Sequence, residues 1–263
     1  MKVAAIIYHK NILDLYKKDW IEKSFRSITN QTFTEFSIYE LNYGGDKFKL
    51  LKEFPNSFKS RFFNIKMENH AQAMNFLIDK CLQDGYDVIF NNNLDDISDI
   101  NRFQLQIQEI KNGYDLVASN FIHIDEEDKE IRRMDFSKLD IKKQFNNRHN
   151  IICHPSVCFS RRFLEKNRYV SSEIPEEDFL LWKRTIDDYK FYIHPEYLIN
   201  YRIHSNQITS KNSDIKKETQ TTPVKIQNPV FLPKVNIVDR CKICGEPKNK
   251  LKYNFCPKCN TLY

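Results

Sequence analysis

Apolar positions along this chain follow two alternating rhythms, which together predict an α/β fold. Residues 3–8 (VAAIIY) form a continuous apolar run, the pattern of a buried strand. Over 13–29, Leu13, Tyr16, Trp20, Ile21, Phe25 and Ile28 recur near a 3.6-residue period, which predicts a helix. Residues 36–41 alternate as a second strand, closed by the turn sequence Asn42-Tyr43-Gly44-Gly45. Ala71, Met74, Ile78, Cys81 and Leu82 predict a helix over 70–83, stopped by Gly85. A strand over 86–90 runs straight into the polar segment NNNLDD (91–96). A helix over 99–112 comes next, with Phe103, Ile107 and Ile110 on one face and Gly113 after it, then a strand over 115–122. Strands alternating with helices imply a largely parallel sheet flanked by helices. Ligands of such sheets sit beyond the carboxyl ends of the strands, where the 91–96 segment falls.

The second half is less regular. Residues 123–150 are charged and predict a hairpin or a loop beside the site; 151–159 predict a strand, 176–188 a helix and 191–203 a further strand. From residue 206 the chain turns polar and carries Pro223, Pro229 and Pro233, the composition of a linker. We divide it into a catalytic domain (1–210), a linker (211–235) and a small module (236–263).

With 263 residues, 41% of them hydrophobic, and 20 Phe and 13 Tyr, the chain can fill one large core. Five glycines leave no GxGxxG dinucleotide site and no phosphate-cradling P-loop. No apolar run reaches the roughly 18–20 residues of a membrane span, and the apolar start is too short for a signal peptide, so the expectation is a soluble, cytoplasmic protein with no transmembrane segment. The net charge of +6 is unevenly placed. Residues 211–263 hold 11 Lys/Arg against 4 Asp/Glu, a net of +7, leaving 30 against 31 in the rest. A basic tail fits a protein or anionic partner, or simply a solvated extension. Of seven cysteines, Cys81, Cys153 and Cys158 lie in apolar contexts and predict buried thiols.

Four motifs carry candidate chemistry. Asp95 and Asp96 follow a buried strand, where a hard cation such as Mg²⁺ or Mn²⁺ would take carboxylate oxygen plus substrate phosphates; the same residues could instead cap the next helix. Glu177 and Asp178 precede Leu180-Leu181-Trp182, so they either present a general base or complement a helix N-terminus, and a helix start allows both. Tyr201-Arg202-Ile203-His204 places two potential cations after a strand, suited to phosphate oxygens. Cys241-x2-Cys244-x11-Cys256-x2-Cys259 has the spacing of two knuckles around a closed tetrahedral S₄ site, which favours structural Zn²⁺, with a rubredoxin-type iron centre as the alternative.

Taken in order, NNNLDD, EEDFLLW and YRIHSN resemble the family 2 glycosyltransferases with the GT-A fold, over about residues 1–210. The segments 68–96 (ENHAQAMNFLIDKCLQDGYDVIFNNNLDD), 24–33 (SFRSITNQTF) and 101–106 (NRFQLQ) extend the resemblance. It implies a nucleoside-diphosphate sugar donor, UDP-linked, an inverting mechanism and a Mn²⁺ or Mg²⁺ ion at Asp95. Asn93 stands where the family has the first acid of its D-x-D motif, as a neutral ligand or sugar contact. Asn42 stands where the family commonly has an acid that reads the uracil base, and Asn75 matches an asparagine near the active site. The resemblance makes Asp178 the base, has Glu177 orient it or hold the acceptor, and sets Arg202 and His204 on the diphosphate. His154 falls on the strand whose turn faces the acceptor, or is structural. Trp182 matches a helix tryptophan that is core or sugar platform. The acceptor is a glycan, a lipid-linked species or a protein. Two rival readings are a nucleotidyltransferase, which would want a Gly-rich, Lys-bearing loop that HKNILDLYKK lacks, and a degenerate transferase domain acting as a binding protein, with the ribbon docking nucleic acid or protein.

Overall fold

The computed structural model describes residues 1–55 and 57–207. Cys241, Cys244, Cys256 and Cys259, the linker and the C-terminal module lie outside the described residues.

The first half is built as its apolar pattern predicts. Strand β1 (Val3–His9) leads through a short α1 (Ile12–Leu15) to α2 (Lys18–Thr29). The single helix expected over 13–29 is broken because Tyr16 and Lys17 adopt extended backbone, and Lys17 caps α2. Strand β2 (Phe36–Asn42), α3 (Leu50–Glu53) and β3 (Lys59–Asn64) follow. Helix α4 spans His70–Gln83; the Asn69 side chain accepts from the Gln72 amide at its start, and Gly85 (φ +79°) follows its end. Strands β4 (Val88–Asn92) and β5 (Ile97–Ser98) bracket the acidic loop, and α5 (Arg102–Lys111) comes next.

The second half holds β6 (Leu116–Ile124), β7 (Glu130–Met134), α6 (Ile141–Asn146), β8 (Cys158–Ser160), α7 (Arg161–Leu164), α8 (Glu177–Thr185) and β9 (Phe191–Arg202). The charged 123–150 stretch does contain a hairpin, with β7 returning antiparallel on β6. The strand expected over 151–159 is mostly absent. Pro155 opens a 3₁₀ turn (His154–Ser156), leaving three residues of strand.

The sheet order is β3-β2-β1-β4-β8-β6-β9-β5, with β7 on β6. This corrects the expectation of a largely parallel sheet. Strands β3, β2, β1 and β4 are parallel, as are β6 and β9, but β8 runs antiparallel between β4 and β6, and β5 and β7 pair antiparallel too. The result is a mixed α/β sheet. Val3, Ala5 and Ile7 alternate onto one face, packing with Ile21 and Phe25 of α2 and Phe103 and Ile107 of α5. Phe90 and Phe103 stack with centroids 4.0 Å apart, and Phe36 meets Phe103 edge-on. Each such aromatic contributes about 1.5–3 kcal/mol by burial. The other face is covered by α4, whose Ala71, Met74, Leu77 and Ile78 are fully buried.

Candidate active site

The parallel register brings His9 of β1 opposite Asn42 of β2, and Ile7 opposite Asn92 of β4, so three strands end within two residues of one another. The acidic loop leaves from that edge. Its first support is Arg102, wholly buried at the start of α5. The guanidinium donates to the Asn91 and Val157 carbonyls, to Asn92 Oδ1 and to Ser98 Oγ, and burial brings it down to about 10. Ser24 Oγ donates to the Asn93 carbonyl from α2.

The second support comes from the end of β9. Arg202 donates through its amide to Asp96 Oδ1 (2.9 Å) and through Nε to the Asp95 carbonyl (2.9 Å). Its Nη1 donates to the Asp125 carbonyl, Nη2 pairs with Asp128 at 2.5 Å, and the guanidinium lies 4.8 Å from the Trp20 ring centroid. His204 Nε2 lies 3.1 Å from Asp95 Oδ2, and its ring meets Tyr16 and Trp20 edge-on or tilted. Asp95 Oδ1 and Asp96 Oδ2 are buried and make no hydrogen bond among the described residues. Burial, then the Asp95 charge, pushes the Asp96 carboxyl well above the usual carboxylate range.

The donor set fits a hard cation in part. A buried carboxylate oxygen without a partner and an imidazole on its twin oxygen could hold one. Among the described residues no group of three or more His, Cys, Asp or Glu forms a complete cage. That suits Mg²⁺ or Mn²⁺, which take much of their shell from substrate phosphates and water.

The second carboxylate pair sits on the first turn of α8. Glu177 Oε1 lies 2.6 Å from His70 Nε2, at the start of α4. Burial alone would raise Glu177, but the hydrogen bond and charge of His70 outweigh it and hold the carboxyl below its usual value. Asp178 accepts from the Phe179 amide (2.6 Å) and, at 3.4 Å, from Asn150 Nδ2. Burial first, and Glu177 second, push Asp178 up to about 7. The two pairs share electrostatic neighbours. The Tyr8 hydroxyl donates to Asn93 Oδ1 (3.3 Å) and is raised by burial, then by Tyr43, Glu177 and Asp95, so one group feels both motifs.

Three residues expected to touch the donor are engaged within the protein. Asn42 accepts from the Gly44 amide and donates to Asp46 and to the Phe48 carbonyl, which shapes the 43–48 loop. Asn75 donates to the Tyr169 carbonyl (2.8 Å) and accepts from the Tyr169 amide (3.0 Å), with both amide atoms committed to one backbone site. Arg202, 0% exposed, braces the acidic loop from beneath through the Asp95 carbonyl and the Asp96 carboxylate. In each case a buried polar group finds partners within the protein, backbone and side chain. Trp182 is fully buried with Phe159, Tyr169 and Phe191 around it, so it is core. His154 is held on the Tyr169 hydroxyl (2.9 Å) and lowered to about 4 by burial, a structural setting. His70, which the sequence did not single out, is the functional neighbour that was missed.

Parallel strands ending in polar loops, within a mixed α/β sheet, give a domain that resembles the GT-A fold. The profile of "Glycosyl transferase family 2" matches residues 6–168, and the chain belongs to that family of glycosyltransferases. It is 24% identical over 211 residues to the O-antigen biosynthesis glycosyltransferase WbnJ of Escherichia coli, covering 77% of this chain and 82% of WbnJ. It is 31% identical over 200 residues to the uncharacterized glycosyltransferase MJ1057 of Methanocaldococcus jannaschii, covering 70% and 66%. Among solved structures it is similar in fold to S. aureus TarS 1–349, with TM-score 0.59 and 12% identity. That match covers 77% of this chain and 60% of TarS 1–349. The TarS complex with UDP-GlcNAc matches with TM-score 0.61 at 11% identity, over 80% of this chain and 61% of that one.

Proposed function

We propose that the chain transfers a sugar from a UDP-linked donor to an acceptor hydroxyl with inversion at the anomeric carbon, using Asp178 as general base. The observation that carries this reading is the Asp178 carboxyl, raised to about 7 beside Glu177, whose carboxyl is held low and which shares the neighbour Tyr8 with the acidic loop. A base poised near neutrality takes up a proton efficiently at cellular pH. In the step proposed, Asp178 accepts the acceptor hydroxyl's proton as that oxygen bonds to the anomeric carbon. The bond from that carbon to the diphosphate oxygen breaks on the opposite face, and the diphosphate departs with the electron pair.

Asp95 and His204 are the residues that would hold a divalent cation, Mn²⁺ or Mg²⁺. When bound, such an ion supplies charge to the leaving diphosphate. Arg202 keeps Asp95 and Asp96 in place, and Tyr8 presents a hydroxyl between the pairs. The UDP preference rests on the family and on the TarS complexes with UDP and UDP-GlcNAc. The test is a panel of nucleoside-diphosphate sugars with and without Mn²⁺, read by thermal shift and by released nucleotide. A metal-dependent UDP response supports the reading. A panel without any response removes it. For the C-terminal module we propose one structural Zn²⁺ on Cys241, Cys244, Cys256 and Cys259; less than half an equivalent of metal per chain would sink that assignment.

A further inference from the structure

Two helices begin beside each other at the second carboxylate pair. His70 is the first residue of α4 and Glu177 the first residue of α8, 107 positions apart in sequence. Their side chains meet at 2.6 Å, with the His70 side chain 13% exposed and that of Glu177 8% exposed. Glu177 Oε2 is buried and has no hydrogen-bond partner among the described residues, so His70 is the group that holds this carboxylate. The next residue is the candidate base. We propose that His70 is a positioning residue for the transfer step: by clamping Glu177 across the two helix starts it fixes a negative charge beside Asp178 and so sets the base's working range. This rests on the reading of Asp178 as the base.

The argument is electrostatic. Burial raises the proton affinity of Glu177, and the hydrogen bond from His70 works against it. The Glu177 charge is in turn the largest influence on Asp178 after burial. Without His70, the proton affinity of Glu177 rises, its repulsion of Asp178 weakens, and Asp178 becomes a weaker base that ionises at lower pH.

The other titratable groups facing this pair are Tyr8 from β1, Cys153 and His154 beside the 3₁₀ turn, and Tyr169 from the segment before α8. Burial keeps all four in their neutral forms near pH 7. Glu176 and Arg148 pair with each other at 3.2 Å on the exposed side, so they add little net charge. His70 is therefore the group whose removal changes the balance.

The experiment measures kcat/KM against pH for Mn²⁺-dependent hydrolysis of the UDP-sugar that the wild-type protein turns over best in the donor panel. Wild type, His70→Leu, His70→Gln, Glu177→Gln and Asp178→Asn are compared. In the wild type, activity falls below about pH 7 as Asp178 takes up its proton. His70→Leu is expected to move that acid limb to lower pH and to lower the plateau by about tenfold, part of what a general base supplies. His70→Gln keeps a donor for Glu177 and stays within a few-fold of wild type at the plateau. Glu177→Gln moves the limb in the same direction, and combining it with His70→Leu moves it no further. A folded His70→Leu protein with the wild-type limb and plateau would overturn the proposal. If that variant does not fold, an unmoved limb in Glu177→Gln overturns it equally. An Asp178→Asn protein that keeps both its activity and the limb near pH 7 would instead remove Asp178 as the base, a separate failure.

Discussion

The two carboxylate pairs invite comparison because each sets two acids side by side in sequence yet anchors them differently. Asp95 and Asp96 are tied from below by backbone and side chain: Arg202 contacts both, His204 touches Asp95, and Arg102 fixes the strand end behind them. Glu177 and Asp178 ride on the first turn of a helix and rely on one imidazole, with Asn150 at the limit of hydrogen bonding. The first pair is built to stay still. The second is built so that adjacent acids differ in proton affinity, Glu177 held low and Asp178 raised to about 7.

The largest effect expected is at the second pair. Asp178→Asn keeps the donor site but removes the proton acceptor, so transfer and donor hydrolysis should fall about 10²–10⁴-fold, with UDP binding by calorimetry unchanged. The wild-type profile has a definite sign: Asp178 acts only when ionised, so the rate rises with pH through about 7 and falls tenfold per unit well below it. Activity within a few-fold of wild type in Asp178→Asn would reduce this residue to a helix cap.

The next effect falls on stability. Arg202→Met removes a wholly buried guanidinium and its pairing with the part-exposed Asp128, and frees the acidic loop. A loss of about 2–3 kcal/mol is expected, read by urea denaturation. A change below about 1 kcal/mol would mean the loop does not depend on this brace. At the first pair, Asp95→Ala should weaken Mn²⁺-dependent UDP binding by about 10²-fold, since the metal loses its protein carboxylate. Full, chelator-sensitive affinity in that variant would move the cation elsewhere. The smallest effect belongs to Asn75→Ala, which removes two hydrogen bonds to Tyr169 and should cost about 1–2 kcal/mol with little effect on donor affinity. A selective loss of donor binding would return Asn75 to the site.

Much of this comparison was legible before the fold. Helix α4 is bounded correctly by its apolar period and by Gly85 after its end, both local signals. The positions of both acidic motifs followed from the apolar runs beside them. Strand direction was not legible. Strand β8 is three residues long, and its antiparallel insertion depends on which neighbours it meets, not on its own residues. Strand β3 was missed because its KSRFFN sequence lies at a sheet edge, half-exposed and without alternation. The inward role of Arg202 and the meeting of His70 with Glu177 need long-range contacts, and no local period encodes a partner 107 residues away. The one available hint for His70 was its place directly after a capping asparagine.

The brace beneath the acidic loop also dictates an order of assembly. Asp95 and Asp96 are joined to chain 106, 107 and 109 positions later, through Arg202 and His204. During synthesis the four parallel strands through β4 are available well before those partners leave the ribosome, at about 5–20 residues per second. A nascent chain that has made its first core therefore carries an unlocked acidic loop for several seconds. The donor site is completed among the last parts of the domain, and a ribosome stalled before residue 202 presents the core without it.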